Sequence, residues 1–182
     1  MKNILNITKI GADLFQFFDF ELARMAQEQG WEKDSQWTNG IHQRLAEIGH
    51  KYGVHVFANP NRCRTADGCE WLYDHHWRLS GKKGELIKIP LVVEIEWGFG
   101  AATIFKKITE DFLKLVQARA DVRVMVFHCN DVPHTINKLI AMVKSFKGSQ
   151  QGDNWLFAGW DWDTDQMQCI PWTFPDGNWL KK

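Results

Sequence analysis

The sequence predicts a single α/β domain in which helices flank a mixed central sheet. Residues 87–97 contain a continuous branched apolar run, which is typical of a strand buried on both faces. Residues 103–120 place apolar side chains at helical spacing, and 122–128 form a second apolar run of strand length. A strand, a helix and a second strand in this order indicate a sheet that is covered by helices.

The remaining elements are predicted from apolar spacing and from turn residues. In chain order they are a helix over 10–30 ended by Gly30, a helix from about Trp37 ended by Gly53, a strand over 54–58, a turn-rich stretch over 59–68, a strand over 70–79, a basic hairpin turn over 81–84, a helix over 135–146, and a hairpin over 155–172 that turns at 163–165. Pro90 is expected near the start of the strand over 87–97. The whole chain, 1–182, is predicted as one domain with its core over about 41–146.

The composition limits the classes of function. Lys and Arg together number 22, as do Asp and Glu, so the net charge is zero and no global basic field favours nucleic acid. Any contact with DNA or RNA would need a local basic patch. The four cysteines form no CxxC pair, and no apolar run approaches the length of a membrane span. These features predict a cytoplasmic protein with reduced thiols and no membrane partner.

Three carboxylates are predicted to meet near the end of the central strand. Glu94 and Glu96 are two residues apart, so in a strand they project from the same face. A hairpin through 81–84 would lay Asp74 beside them. Such carboxylates repel one another and favour a divalent cation, with Mg²⁺ expected and Mn²⁺ as a substitute. The alternatives are a solvent-facing edge for the glutamates and an ion pair with His75, His76 or Arg78 for the aspartate.

The following helix is predicted to bring a lysine to these carboxylates. Asp111 and Lys114 are three residues apart on a flank of the apolar face, so they are neighbours on the helix. The ammonium could offset charge at the site and stabilise a phosphorane-like transition state. An ordinary surface ion pair between the two side chains is the alternative.

A basic stretch over 78–88 includes the hairpin turn between the two predicted strands. Arg78, Lys82 and Lys83 are its candidate contacts to a nucleic acid backbone, because lysine and arginine position such a ligand without reading its sequence. A solvated hairpin turn without a ligand is the alternative.

Asp74, the segment VVEIEWG and the segment DFLKLVQARADVRVMVF together resemble the core of PD-(D/E)XK nucleases. The resemblance covers about residues 41–130 and implies a restriction-endonuclease-like fold. In that family an Asp begins or ends the second core strand, a (D/E)-x-K motif lies on the third, and a helix leads to a fourth. The match implies Asp74, Glu94 and the Ile95 carbonyl as metal ligands. Glu96 replaces the motif lysine, Lys114 on the helix would take over its role, and Glu47 would be the assisting acid of the first helix.

The resulting prediction is a Mg²⁺-dependent nuclease that hydrolyses phosphodiester bonds in nucleic acid, with DNA favoured as substrate. Asp74 and Glu94 would hold the ion, Glu96 would add a ligand or accept a proton from water, and Lys114, steadied by Asp111, would neutralise developing charge. The alternative is a non-catalytic interaction or nucleic-acid-binding module that retains the fold. A homodimer is an assembly that the sequence leaves open.

Overall fold

The structure is a computed structural model of the chain and describes residues 5–98 and 101–180. Its centre is a six-stranded mixed sheet in which the strands lie in chain order. The strands are β1 (His55–Ala58), β2 (His75–Ser80), β3 (Leu86–Glu96), β4 (Val122–Cys129), β5 (Asn154–Asp161) and β6 (Gln166–Thr173). β3, β4 and β5 run parallel, while the pairs β1–β2, β2–β3 and β5–β6 are antiparallel. The predicted mixed sheet and helix cover are therefore confirmed.

Helices cover both faces of the sheet. They are α1 (Ile7–Gln16), a short π-helical turn (Phe17–Glu21), α2 (Leu22–Gln29), α3 (Asp34–Lys51), α4 (Ala101–Gln117) and α5 (Val132–Ser145). Apolar side chains of α1 to α3 form one buried cluster with the sheet, and those of α4 and α5 form another on the opposite side. We refer to these two sides as the α3 face and the α4 face. None of the helices within the described ranges is long and apolar enough to cross a bilayer.

The two faces divide the side chains of β3. Leu91, Val93 and Ile95 belong to the cluster on the α3 face, whereas Val92 belongs to the cluster on the α4 face. Because alternate residues of a strand point to opposite sides, Glu94 shares the α4 face with Val92. The central position of β3, with both faces covered, explains why its apolar run is continuous instead of alternating.

Pro90 lies inside β3 and not near its start, because the strand already begins at Leu86. The pairing of β3 with β2 shifts register close to this point, between the pairs Trp77–Leu91 and Leu79–Lys88. Proline has no N–H for the ladder, and an irregular position of this kind is where a strand tolerates it.

Several element boundaries differ from the sequence prediction for local reasons. The predicted helix over 10–30 is interrupted by the π-helical turn, although Gly30 ends it with a left-handed φ of 62°. β2 begins only at His75, because the preceding residues form bends, and Asp74 therefore lies immediately before the strand. α5 begins earlier than predicted because Asp131 caps it by accepting the His134 backbone N–H at 3.0 Å.

Candidate metal centre

The end of β3 and the residue before β2 bring two carboxylates together. His75 pairs with Val93, so Asp74 comes opposite Glu94 when the antiparallel register is continued by one residue. The Asp74 carboxylate oxygen Oδ2 accepts a hydrogen bond from the Ile95 backbone N–H at 2.9 Å. This bond fixes Asp74, which directly precedes β2, against β3.

α4 supplies the cations. The Lys114 ammonium lies 3.0 Å from Glu94 Oε2 and 2.7 Å from Asp111 Oδ1, and the Lys107 ammonium lies 3.7 Å from Glu96 Oε1. Both glutamates therefore point towards α4, as their spacing on the strand predicts. The predicted approach of Lys114 to the strand carboxylates is confirmed as a contact, while its chemical role stays a prediction.

Glu94 is the most deeply buried group of the site. Its side chain is 0% exposed, and within the described chain its Oε1 has no hydrogen-bond partner. Desolvation by burial, followed by the negative charge of Asp74, raises the pKa of Glu94 to about 8 against the opposing effect of Lys114. A carboxyl group with this pKa holds a proton for most of the time at neutral pH.

The contact between Glu94 and Lys114 has different outcomes for the charges of the two side chains. Burial alone would lower the pKa of Lys114, but its hydrogen bonds to Asp111 and Glu94 raise it overall. The ammonium is shared and lies closer to Asp111 than to Glu94. Lys114 therefore stays charged, and its charge only partly compensates Glu94.

The whole cluster carries more carboxylates than cations. Burial, then the charge of Asp111, raises the pKa of both Asp74 and Glu96. Three of the carboxyl groups contact a lysine, and Asp74 instead accepts the Ile95 backbone N–H. The six residues of the cluster are Asp74, Glu94, Glu96, Asp111, Lys107 and Lys114. Protons or a bound cation must balance the excess of acid, and both would relieve the same repulsion.

No group of three or more His, Cys, Asp or Glu side chains is arranged to hold a metal ion within residues 5–98 and 101–180. The predicted convergence of Asp74, Glu94 and Glu96 on one ion is therefore not observed in these residues. A smaller ligand set, two carboxylates completed by a backbone carbonyl, remains the candidate at this site.

The side chains offered as alternative partners of Asp74 contact other groups. His75 points to the α3 face, where its Nδ1 lies 3.2 Å from Nδ1 of His42. His76 Nε2 accepts a hydrogen bond from Arg78 Nε at 2.9 Å. Asp74 instead accepts the backbone N–H of Ile95, so an ion pair of Asp74 with these neighbours is not what holds it in place.

Glu47 does not lie with the other carboxylates, and its predicted supporting role is wrong. It belongs to α3, which packs on the opposite face of the sheet from Glu94. Its Oε2 accepts a hydrogen bond from Arg44 at 3.0 Å. The helical pattern showed which side of the helix Glu47 occupies, but it did not reveal which face of the sheet this helix covers.

The basic turn does not lie beside the carboxylates, which corrects its predicted position. Lys82 and Lys83 are exposed in the turn at the far end of β2, roughly 20 Å along the strand from Asp74 at about 3.3 Å per residue. The Arg78 guanidinium lies 4.0 Å from the centre of the Phe57 ring, on which it stacks. Contact of these three side chains with nucleic acid bound at the carboxylates has no support from this placement.

Lys107 is the site residue that the sequence analysis missed. A signal was available, because Lys107 precedes Asp111 by four residues and therefore shares a helix flank with Asp111 and Lys114. The spacing did not reveal that this flank would meet Glu96.

Comparison of the chain with models of protein families, with curated proteins and with solved structures gave no significant match. The chain is thus a mixed α/β protein with a partly buried cluster that contains more carboxylates than cations.

Glu94 gives the metal-free protein a distinct pH dependence. The pKa of Glu94 is about 8 in the folded protein, whereas its ordinary value is 4.5. The protonated carboxyl group therefore adds to the free energy of unfolding, and this contribution is complete below pH 4.5 and is lost as the pH rises through 8. We expect the free energy of unfolding in EDTA to fall by roughly 1.5 kcal/mol between pH 6.5 and 8, with a slope of up to about 1.4 kcal/mol per pH unit that halves at pH 8. Urea unfolding at several pH values measures this. The buried histidines titrate below this window, because burial lowers the pKa of His42 and of His76 to about 4.

The variant Glu94→Gln should lose this slope and equal or slightly exceed the wild type in stability at pH 8, because an amide cannot repel Asp74. Glu110→Gln, an exposed change on the same helix as Lys114, is the matched control and should keep the slope. A marked loss of stability in Glu94→Gln at pH 8 would instead make Glu94 a structural ion-pair partner of Lys114.

Proposed function

We propose that this protein is a divalent-metal-dependent phosphodiesterase that acts on nucleic acid. The observation that carries the proposal is the Glu94 carboxyl group, which is fully buried, lies beside Asp74, and has an Oε1 without a hydrogen-bond partner in the described chain. Buried polar oxygens almost always have a partner, so an orphaned one beside a second carboxylate fits the position of a cation.

Asp74, Glu94 and the Ile95 carbonyl are the groups that would hold the ion. The Ile95 N–H donates to Asp74, and the N–H and C=O of one strand residue point to the same side of the strand. The Ile95 carbonyl therefore faces the side on which Asp74 lies. All three ligands are oxygens, which suits Mg²⁺ or Mn²⁺ and disfavours softer metals.

A divalent ion bound here would polarise a phosphate group and lower the pKa of a water molecule that it binds. Lys114 would keep its positive charge, because Asp111 holds its ammonium at 2.7 Å, and would stabilise negative charge that develops on the phosphate. Burial and the charge of Asp111 raise the pKa of Glu96, so it is a stronger base than an ordinary carboxylate, which suits a group that accepts a proton from water. Lys107 would orient the Glu96 carboxylate from its other side.

The order of the elements also supports a restriction-endonuclease-like core. An aspartate stands directly before β2, the second strand, and a glutamate lies on β3, the third strand. α4 then leads to β4, which pairs in parallel with β3. This order of aspartate, strand glutamate and helix is the one that the resemblance to PD-(D/E)XK nucleases implies.

A cleavage assay tests the proposed function. Purified protein would be incubated with supercoiled DNA, single-stranded DNA and RNA in Mg²⁺, Mn²⁺ or EDTA. We expect cleavage of at least one substrate with Mg²⁺ or Mn²⁺ and none with EDTA. Failure to cleave any of the three with either ion would contradict the proposal and favour the non-catalytic module.

A further inference from the structure

A cavity walled by aromatic rings lies on the α3 face, at the carboxyl-terminal ends of the parallel strands. Its volume is about 240 Å³. The rings come from Trp31, Trp37, Trp97, His128, Trp160 and Trp162. We call this space the aromatic cavity. It is separate from the carboxylates of the candidate metal centre, which point to the α4 face.

The rings are inclined to one another and form walls instead of a flat stack. Trp37 and Trp160 have ring centres 4.8 Å apart at an angle of 58°, and Trp97 and His128 have ring centres 5.3 Å apart at 64°. The Trp97 indole N–H donates to Thr38 Oγ1 at 2.8 Å, so the polar edge of this ring already has a partner. The faces of such rings carry the negative end of the aromatic quadrupole and attract a cation that approaches them.

Carboxylates line the same cavity, and among the described residues no lysine or arginine does. Glu32, Asp34 and Asp165 contribute to its lining. None of these three forms a salt bridge with a cation within 4.0 Å in the part of the chain that the structure describes. Aromatic faces and carboxylates both favour positive charge, so the two kinds of lining group select for the same ligand.

We propose that the aromatic cavity binds a small organic cation of the quaternary ammonium type. An alkylated ammonium group is attracted to tryptophan faces and loses little hydration on burial, which makes aromatic boxes with acidic rims suitable for it. The volume is below the roughly 300–1,000 Å³ of sites for drug-sized molecules, so the ligand is small. The carboxylates repel anions, so a phosphate next to the ammonium group should weaken binding of the ligand.

Binding of choline tests the inference, because 3,3-dimethylbutan-1-ol has the same shape without the charge. Titration followed by calorimetry should give an affinity for choline at least about 10-fold higher than for the alcohol, on the scale of a desolvated cation–π contact. Phosphocholine should bind more weakly than choline. N-acetyl-trimethyllysine methylamide, compared with choline, distinguishes a modified lysine side chain from a free metabolite as the source of the cation, and its neutral carbon isostere tests the preference for charge.

Matched variants locate the binding. Asp34→Asn and Asp165→Asn remove charge at nearly constant shape, and asparagine tolerates the φ of 54° at position 165. Trp162→Leu shortens one wall at a side chain that is 43% exposed, and Trp71→Leu, at a side chain that is 74% exposed outside the cavity, is its control. We expect each of the three cavity variants to weaken choline binding about 5-fold or more, and the control to leave it unchanged.

Three results would overturn the inference. Equal affinities for choline and for the alcohol would show an apolar pocket without preference for charge. Tighter binding of adenosine than of choline would make the cavity a site for nucleobases. Absence of binding by choline and by trimethyllysine at millimolar concentrations, in wild-type protein with an unchanged circular dichroism spectrum, would leave the cavity without this ligand class.

Discussion

Glu94→Gln is expected to reduce Mg²⁺-dependent hydrolysis to the level that the wild type shows in EDTA, while the protein remains folded. The amide keeps the size of the side chain but cannot provide the negative oxygen that a hard divalent ion needs at this buried position. Initial rates of cleavage over a range of Mg²⁺ concentrations would measure the loss. Rates for Glu110→Gln should equal those of the wild type.

Retained cleavage by Glu94→Gln would contradict the assignment of Glu94 as a metal ligand. A rate that recovers at high Mg²⁺ would point to weakened affinity alone, and Asp74 would then be the principal ligand. The stability of this variant in EDTA is the companion measurement, because it separates loss of chemistry from loss of fold.

Lys114→Met is expected to lower turnover by on the order of 10²-fold or more, the usual scale for losing one electrostatic contact in a transition state. Methionine retains most of the aliphatic stem of Lys114 but removes the charge 3.0 Å from Glu94. Metal binding and folding should survive. Single-turnover rates at saturating Mg²⁺ would measure the change in turnover.

Lys106→Met is the matched control for this substitution, since Lys106 lies on the same helix and its side chain is 80% exposed. It should leave turnover unchanged. If Lys114→Met also left turnover unchanged in a protein with verified nuclease activity, the role of the missing motif lysine would pass to Glu96 or to another residue.

The core of the fold could be predicted because its signals are local. The continuous apolar run of β3 and the helical spacing in α4 each report burial directly. The π-helical turn at Phe17–Glu21 was not predicted, because its apolar spacing hardly differs from that of an α-helix. The late start of β2 was also missed, since Trp71 and Leu72 continue its aromatic and apolar pattern although both are exposed.

The candidate site was predictable to the extent that it depends on periodicity. The two-residue spacing of Glu94 and Glu96 placed both on one face, and the three-residue spacing of Asp111 and Lys114 made them neighbours. The errors concern long-range placement. To place Glu47, one must know which face of the sheet α3 covers. To place the basic turn, one must know the direction in which β2 runs away from Asp74. Periodicity encodes neither.

Binding of Mn²⁺ to wild-type protein and to Glu94→Gln, measured by calorimetry at pH 7 in buffers of different ionisation enthalpy, tests the central claim most directly. Because the pKa of Glu94 is about 8, an ion that binds its carboxylate must displace a proton. We expect one Mn²⁺ per wild-type chain with release of close to one proton, and strongly weakened binding without this release in the variant. Absence of Mn²⁺ binding by the wild type, or equal binding and equal proton release in both proteins, would contradict it.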